Sequence, residues 1–137
     1  MEECVFCKIV SKKLPAFILF ENESAIAFLN IRPYTKGHSL VIPKKHHRWI
    51  WDIPKEEAAQ FFELCQKVAK HLQKTSGNEL VYSLTVGEEV PHAHFHIIPN
   101  DAVSKFPKAL DDVIDEVAFS PELHELAGVL DELIEKV

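Results

Sequence analysis

Residues 92–99 read HAHFHIIP, so that three histidines alternate with apolar residues along one short run. An alternation with period two is typical of a β-strand, whose successive side chains point to opposite faces of the sheet. The run therefore predicts a strand with His92, His94 and His96 on one face and apolar side chains on the other. Imidazoles on one face lie roughly 6.5–7 Å apart, which suits one anionic ligand, a shared metal ion, or a nucleophile between two supporting groups. The hydrophilic face of an ordinary amphipathic strand is the alternative interpretation.

The length and composition favour one folded domain. The chain has 137 residues, of which 47% are hydrophobic, enough to build a core and too many for a disordered segment. No apolar run approaches the roughly 20 residues of a membrane span. The acidic N-terminus lacks the basic region and long apolar core of a signal peptide. We therefore expect a cytoplasmic protein with no membrane partner, in a reducing compartment that disfavours disulfides.

The net charge of −6 is unevenly distributed. Residues 1–100 contain 12 Lys and Arg against 11 Asp and Glu, whereas residues 101–137 contain 3 against 10. A near-neutral body with an acidic tail is unsuited to nucleic acid, because such binding depends on neutralisation of phosphates by Lys and Arg. A small anionic ligand held by histidines and backbone amides is compatible with this charge.

The remaining pattern predicts the fold class. Four further strands are expected, at residues 17–21, 24–29, 38–43 and 80–86. A helix is predicted from about Pro54 to Gly77, because apolar residues recur there at helical spacing between a starting proline and a terminating glycine. The order βββ–α–ββ indicates an α+β fold with an antiparallel sheet. We assign residues 1–100 to this domain and residues 101–137 to an acidic C-terminal extension that is predicted to be helical.

Four segments of the chain together resemble the histidine triad (HIT) family of Hint- and Fhit-like nucleotide hydrolases and transferases. They are CVFCKIV at 4–10, AIAFLNIRP at 25–33, GHSLVIPKKH at 37–46 and HAHFHII at 92–98. The last segment matches the family pattern His-φ-His-φ-His-φ-φ, in which φ is apolar, at every position. The resemblance implies a homodimer whose antiparallel sheet continues across the interface, and a purine nucleotide as substrate. It does not extend to the tail.

The resemblance also implies a covalent mechanism. His94, the central histidine, would attack the α-phosphorus of a nucleoside phosphoramidate, an adenylylated compound or a dinucleoside polyphosphate, and water would then cleave the nucleotidyl-histidine. The attack requires a neutral His94 whose attacking nitrogen is bare and whose other nitrogen donates to a backbone carbonyl. His96 would hold the phosphoryl oxygens together with backbone amides of the loop from Gly87 to Val90. No cofactor is required for this chemistry.

Further residues correspond to nucleotide-binding positions of the family. Asn30 and Ile31 match the positions that hold ribose hydroxyls and flank the base. The family more often has Asp at position 30, but either side chain accepts a hydrogen bond from ribose. His38 matches a histidine that the family places near the triad, and a structural histidine at a strand start is the alternative. Phe6 and Phe28 are candidates for the base pocket, although two phenylalanines are more often core residues.

The loop before the triad departs from the family pattern, which usually reads Asn-x-Gly-x-x-Ala-Gly-Gln. Only Gly87 of this pattern is present, and Glu88 and Glu89 stand where the family has Gln and often Ser or Thr. A carboxylate beside a phosphate is repulsive unless it is protonated, paired or bridged by a metal. Slow Hint-like activity is therefore favoured over efficient Fhit-like cleavage. A nucleotide-binding module that has lost the chemistry is the alternative function.

Cys4 and Cys7 form a C-x-x-C pair, which is half of a zinc site. The resemblance implies that His46 and His92 complete a closed, structural site for Zn²⁺ with two Cys and two His ligands. His47 is an alternative to His46, because adjacent residues differ only in the direction of their side chains. Two free buried thiols are the alternative to any metal.

A third class of function uses the same histidines differently. His92, His94 and His96 would form an open zinc site in a metalloenzyme. The Cys pair argues instead for a closed site elsewhere. The third cysteine, Cys65, lies on the apolar face of the predicted helix and is most simply a core residue.

Overall fold

The structure, a computed structural model, describes residues 4–100 of the chain. The elements within this range are α1 (Val5–Val10), β1 (Ile18–Glu21), β2 (Ala25–Leu29), β3 (Ser39–Pro43), a 3₁₀ turn (Ile50–Asp52), α2 (Lys55–Ser76), β4 (Val81–Leu84) and β5 (Phe95–Pro99). None of the described helices is long and apolar enough to cross a membrane. The predicted helices of the acidic extension lie outside the described residues.

The five strands form one antiparallel sheet in the order β1-β2-β3-β5-β4. Strand β5 has a partner on each side, so that His96 is paired with Leu40 of β3 and with Leu84 of β4. Strands β1 and β4 are the two edges. The predicted α+β fold, with an antiparallel sheet and one long helix, is confirmed.

Helix α2 begins after Pro54 and ends at Gly77, as the sequence predicts. Gly77 has φ 70°, and its N–H donates to the carbonyl of Gln73 at 3.1 Å, which satisfies one carbonyl of the last turn. The apolar stripe of the helix packs on one face of the sheet and includes Cys65. Burial raises the pKa of the Cys65 thiol to about 12, so this cysteine is an inert core residue.

Helix α1 covers the opposite face of the sheet. Phe6 and Ile9 of this helix are buried against apolar side chains of β2 and β3. The rings of His92 and His94 lie edge-on to Phe6, at centroid distances of 5.8 and 5.2 Å. The sheet therefore separates an apolar core under α2 from a face that carries histidines beside α1.

The histidine run is a strand only in its second half, so the prediction of a strand over the whole run is wrong at its start. Strand β5 begins at Phe95. Before it the backbone is bent, because the N–H of His92 donates to the carbonyl two residues earlier at 2.8 Å. The N–H of Ala93 donates to the carbonyl of His47 at 2.7 Å. The alternation of faces is nevertheless kept, since Ala93 and Ile97 belong to the core under α2.

Candidate active site and metal centre

The ring of His94 is held in one orientation by its own chain. Nδ1 of His94 lies 2.7 Å from the carbonyl oxygen of His92. A carbonyl only accepts hydrogen bonds, so Nδ1 carries the proton of the neutral ring and Nε2 is bare. Burial lowers the pKa of His94, which keeps the ring neutral at pH 7. Within residues 4–100 no hydrogen bond reaches Nε2, and this nitrogen is therefore free to act as a nucleophile.

The backbone around His94 is fixed from both sides. The hydroxyl of Thr85, which follows β4, donates to the carbonyl of His94 at 2.7 Å. On the other side the carbonyl of His47 accepts the N–H of Ala93. Because one main-chain bond and one bond from a side-chain hydroxyl hold the backbone on either side of the ring, the segment has little freedom to turn.

His96 is linked to His38 by a chain of hydrogen bonds. The backbone N–H of Tyr34 donates to Nδ1 of His38 at 3.1 Å, which leaves the proton of that neutral ring on Nε2. Nε2 of His38 then donates to Nδ1 of His96 at 2.9 Å. Burial lowers the pKa of His38 to about 4 and that of His96 to about 3, so both rings are neutral at pH 7. His96 is thereby set to present an N–H at Nε2.

Asn30 and Ile31 follow β2 beside this chain. Oδ1 of Asn30 accepts the backbone N–H of Arg32 at 2.9 Å and keeps a second lone pair. Its Nδ2 is 3.3 Å from Nε2 of His38. Since that nitrogen already donates to another ring, the approach is a contact between two N–H groups. Ile31 is 87% exposed, so its side chain is available to a ligand.

Phe6 and Phe28 occupy the core under α1. They are 7% and 3% exposed and meet edge-to-face at 5.8 Å. Their packing matches the core interpretation, and any contact with a base would involve only their remaining edges.

The loop after β4 is shaped by Gly87 and its neighbours. Gly87 has φ 69°, a conformation that favours glycine, and a Cβ at this position would lie 2.5 Å from the Trp49 ring. Nη2 of Arg48 donates to the carbonyl of Gly87 at 2.9 Å, and its guanidinium lies 3.7 Å from the centroid of the Trp49 ring. Arg48 and Trp49 therefore fix the start of this loop.

Sequence reasoning missed both of these residues. Neither Arg48 nor Trp49 belongs to a motif, and they lie 39 and 38 positions before Gly87 in the chain. The sequence offers one indication of their role, which is that Trp49 and Trp51, the two tryptophans of the chain, lie within three residues of each other.

Glu88 and Glu89 are exposed on this loop. Within the described residues no ion pair joins either carboxylate to a cation. The pKa of His94, lowered chiefly by burial, is lowered further by the Arg48 charge and raised by the Glu89 charge. The charges of Arg48 and Glu89 therefore both act on His94.

Cys4, Cys7, His46 and His92 bring their donor atoms within 4.8 Å of one another. The sulfur of Cys4 is 3.3 Å from Nδ1 of His92, and that of Cys7 is 3.3 Å from Nδ1 of His46. Tetrahedral zinc with S and N ligands places such atoms about 3.5 Å apart. Nε2 of His92 donates to the carbonyl of Pro43 at 2.9 Å, so that Nδ1 is left bare for a metal. The four residues therefore fit a closed Zn²⁺ site.

Two alternative ligand sets do not match the geometry of the described residues. His47 is not part of the cluster, because its Nε2 lies 2.8 Å from the Glu57 carboxylate. The three histidines of the run do not converge as one ligand set among the described residues. Nδ1 of His92 faces the cysteines, that of His94 faces a carbonyl, and that of His96 faces another imidazole.

Comparison with known proteins gives consistent matches. The family model for the HIT domain matches residues 11–103. An uncharacterised HIT-like protein of Methanocaldococcus jannaschii is 38% identical over 122 residues, which cover 83% of this chain and 95% of that protein. The adenosine 5′-monophosphoramidase of Saccharomyces cerevisiae is 38% identical over 97 residues, which cover 70% of this chain and 61% of the yeast protein. The crystal structure of a HIT-like protein from Bartonella henselae superposes with a TM-score of 0.70 at 30% identity, covering 80% of this chain and 88% of that chain.

Proposed function

This chain belongs to the HIT family, and we propose that it is a nucleotidyl hydrolase acting through a covalent nucleotidyl-His94 intermediate. Its relatives include adenosine 5′-monophosphoramidases. The observation that supports the proposal best is the 2.7 Å hydrogen bond from Nδ1 of His94 to the carbonyl of His92. That bond leaves a bare, neutral nitrogen, which is what an attack on phosphorus requires.

In the proposed reaction Nε2 of His94 forms a bond to the α-phosphorus of a nucleoside 5′-phosphate derivative. The bond from phosphorus to the leaving group breaks, and the leaving group departs with its electron pair. An amine takes up a proton from water, whereas a carboxylate or polyphosphate departs as an anion. Water then attacks the nucleotidyl-histidine, which releases the nucleoside monophosphate and restores the neutral ring. The leaving group is an amine in a phosphoramidate, and an acyl or phosphoryl oxygen in an adenylylated compound or dinucleoside polyphosphate.

The remaining predicted site residues receive roles in this proposal. Nε2–H of His96 donates to a phosphoryl oxygen, and His38 holds His96 in the tautomer that allows it. Asn30 accepts from a ribose hydroxyl, and Ile31 contacts a purine base. The backbone of the loop formed by Gly87, Glu88 and Glu89 lies along the phosphate.

The Cys/His cluster would hold a structural Zn²⁺ through Cys4, Cys7, His46 and His92. Zinc bound there would tie α1 to the segment that carries His94, and it has no part in the chemical steps. His92 belongs to both sites, because its ring faces the cluster and its carbonyl holds His94.

We also propose the homodimer with a sheet continued through β4. This strand is an edge of the sheet within the described residues. Beside it Phe62 of α2 and Leu80 are 58% and 54% exposed, and a cavity of about 280 Å³ lies between helix and strand. Light scattering tests the proposal, because Phe62→Asp is expected to give a monomer. Phe17→Asp, an exposed aromatic before the opposite edge strand, is expected to remain dimeric, and a monomeric wild type would refute the dimer.

The second candidate function is a nucleotide-binding module without turnover. It is favoured by one observation: Glu88 and Glu89 are exposed on the loop proposed to lie along the phosphate, and neither forms an ion pair within residues 4–100. It predicts that the protein binds a nucleoside monophosphate but forms no adduct.

Trapping the intermediate distinguishes the two functions. The protein is incubated with labelled adenosine 5′-phosphoramidate, denatured in alkali, and examined for an acid-labile adenylyl-histidine on the peptide that contains residue 94. The adduct is expected in wild type and in His71→Ala, which removes an exposed histidine of α2, and not in His94→Ala. Adduct-free protein that still binds AMP would support the module instead.

A further inference from the structure

Both tryptophans of the chain lie in one stack beside the candidate active site. The rings of Trp49 and Trp51 are nearly parallel, with an interplanar angle of 10° and a centroid distance of 5.0 Å. The Arg48 guanidinium lies 3.7 Å from the centroid of the Trp49 ring. Two groups at these distances do not fit on one face of an indole, so Trp49 lies between Arg48 and Trp51. The order of the stack is thus Arg48, Trp49, Trp51.

The inner end of this stack is anchored to the catalytic segment. His47, next to Arg48, accepts the N–H of Ala93, and Arg48 itself donates to the carbonyl of Gly87. The edge of the Trp49 ring fills the space where a side chain at Gly87 would lie. The stack therefore begins against the loop at Gly87, which is proposed to lie along the phosphate, and its inner end is positioned by these hydrogen bonds and by the packing of Trp49.

The outer end of the stack is open. Trp51 is 70% exposed, although an indole is among the most favourable side chains to bury. Its neighbour in the stack, Trp49, packs against the loop at Gly87, so the exposed indole rests on a ring whose position is set by that contact. An ordered aromatic plane next to a reactive site is suited to binding another planar ring.

The charges of Glu88 and Glu89 indicate what kind of leaving group can lie near the Trp49–Trp51 stack. Glu88 and Glu89 form no ion pair among residues 4–100, and their charges oppose a leaving group that consists of further phosphates. An amine leaving group carries no negative charge and meets no such repulsion. An aromatic amine is thus compatible both with the carboxylates and with the exposed indole.

We propose that the Trp49–Trp51 stack is a leaving-group subsite, which selects nucleoside phosphoramidates whose amine carries an aromatic ring. The inference rests on the proposed phosphoramidase function. The ring of the amine stacks on the outer face of Trp51. The P–N bond of the substrate breaks as Nε2 of His94 bonds to phosphorus, and the amine departs with the electron pair and takes a proton from water.

The test compares two substrates that differ only in the ring, adenosine 5′-(2-phenylethyl)phosphoramidate and adenosine 5′-ethylphosphoramidate. The ratio of their kcat/KM values is expected to favour the ring in wild type and to fall roughly three- to tenfold in Trp51→Ala. Trp51→Phe, which keeps a ring, is expected to retain most of the preference. Phe17→Ala, which removes an exposed aromatic side chain before β1 that is not part of the stack, is expected to leave the ratio unchanged. An unchanged ratio in Trp51→Ala, or an equal fall in Phe17→Ala, overturns the proposal.

A binding measurement separates this proposal from the proposed function. The chain has two tryptophans, both in the stack, so its tryptophan emission reports on this surface alone. Titration of His94→Ala is expected to change the emission with the phenylethyl compound and much less with the ethyl compound. If wild type cleaves neither compound, the proposed function is wrong, but this titration still shows whether the stack binds the aromatic ring. Equal responses to the two compounds would overturn the subsite whatever the activity.

Discussion

The carbonyl of His92 accepts a 2.7 Å hydrogen bond from the ring of His94, while the ring of His92 lies 3.3 Å from the sulfur of Cys4. One residue thus belongs to the Cys/His cluster through its side chain and to the candidate active site through its backbone. A metal bound at the cluster would fix the carbonyl that determines the tautomer of His94.

Loss of the metal cluster is therefore expected to weaken catalysis through orientation. Cys7→Ala should bind no zinc and should lower kcat by about ten- to hundredfold, with a smaller change in KM, because the nucleophile is less well held. Elemental analysis and steady-state kinetics measure this, and nitrogen chemical shifts of the His94 ring report its tautomer. Cys65→Ala, which removes the cysteine outside the cluster, should keep one zinc per chain. A metal-free Cys7→Ala that is folded and fully active would contradict the coupling.

Acid is expected to destabilise the fold through His38. Burial lowers the pKa of His38 from 6.5 to about 4. Between these two pH values His38 is therefore protonated in the unfolded chain and neutral in the folded chain. Stability must then fall as the pH decreases across this window, by about 2 kcal/mol between pH 7 and pH 5 for this one group. Urea unfolding at the two pH values measures it. His38→Asn should lose about 2 kcal/mol less than wild type over the same interval, and an identical loss would show that His38 is not the source.

The carboxylates of the loop are expected to set the preference between leaving groups. Glu88→Gln and Glu89→Gln each remove a charge that repels further phosphates, and should raise kcat/KM for diadenosine tetraphosphate by roughly three- to tenfold relative to adenosine phosphoramidate. The gain should shrink as salt is added, because exposed charges are screened. Glu79→Gln, at an exposed position before β4, serves as the control. Gains that do not depend on salt would rule out an electrostatic origin.

Two glycines with the same backbone conformation allow the packing of Trp49 to be tested. Gly77 and Gly87 have φ of 70° and 69°, but a Cβ at Gly77 meets nothing within 4 Å whereas one at Gly87 lies 2.5 Å from the Trp49 ring. Alanine at Gly77 should cost about 1 kcal/mol through backbone strain alone. Alanine at Gly87 should cost about 1–3 kcal/mol more, since the ring or the loop must move. Chemical denaturation measures both variants, and equal losses would show that the contact with Trp49 carries no energy.

Much of the fold followed from local pattern. The alternation in the strands, the apolar stripe of α2 and the pair of Pro54 and Gly77 at its ends are features of neighbouring residues, so they can be read along the chain. The sequence predicts a strand from His92, whereas β5 begins at Phe95. The side chains before Phe95 still point alternately to the two faces, although the backbone there is no longer paired in the sheet. Hydrogen bonds to His47 and to the preceding turn determine that bend, and neither is visible in a pattern of apolar and polar residues.

The sequence by itself determined the class of fold, the family and the identity of the histidines and cysteines, because these depend on residue type and spacing. Only the tertiary structure decided how the rings are used. The hydrogen bond of Nδ1 of His94, the choice of His46 over His47, and the stack of Arg48 with Trp49 and Trp51 each depend on the direction of a side chain relative to distant backbone. The spacing of residues along the chain indicates which side chains can lie near one another, but tertiary packing sets the direction in which each side chain points. That direction determines which ring nitrogen carries the proton and which groups face a ligand.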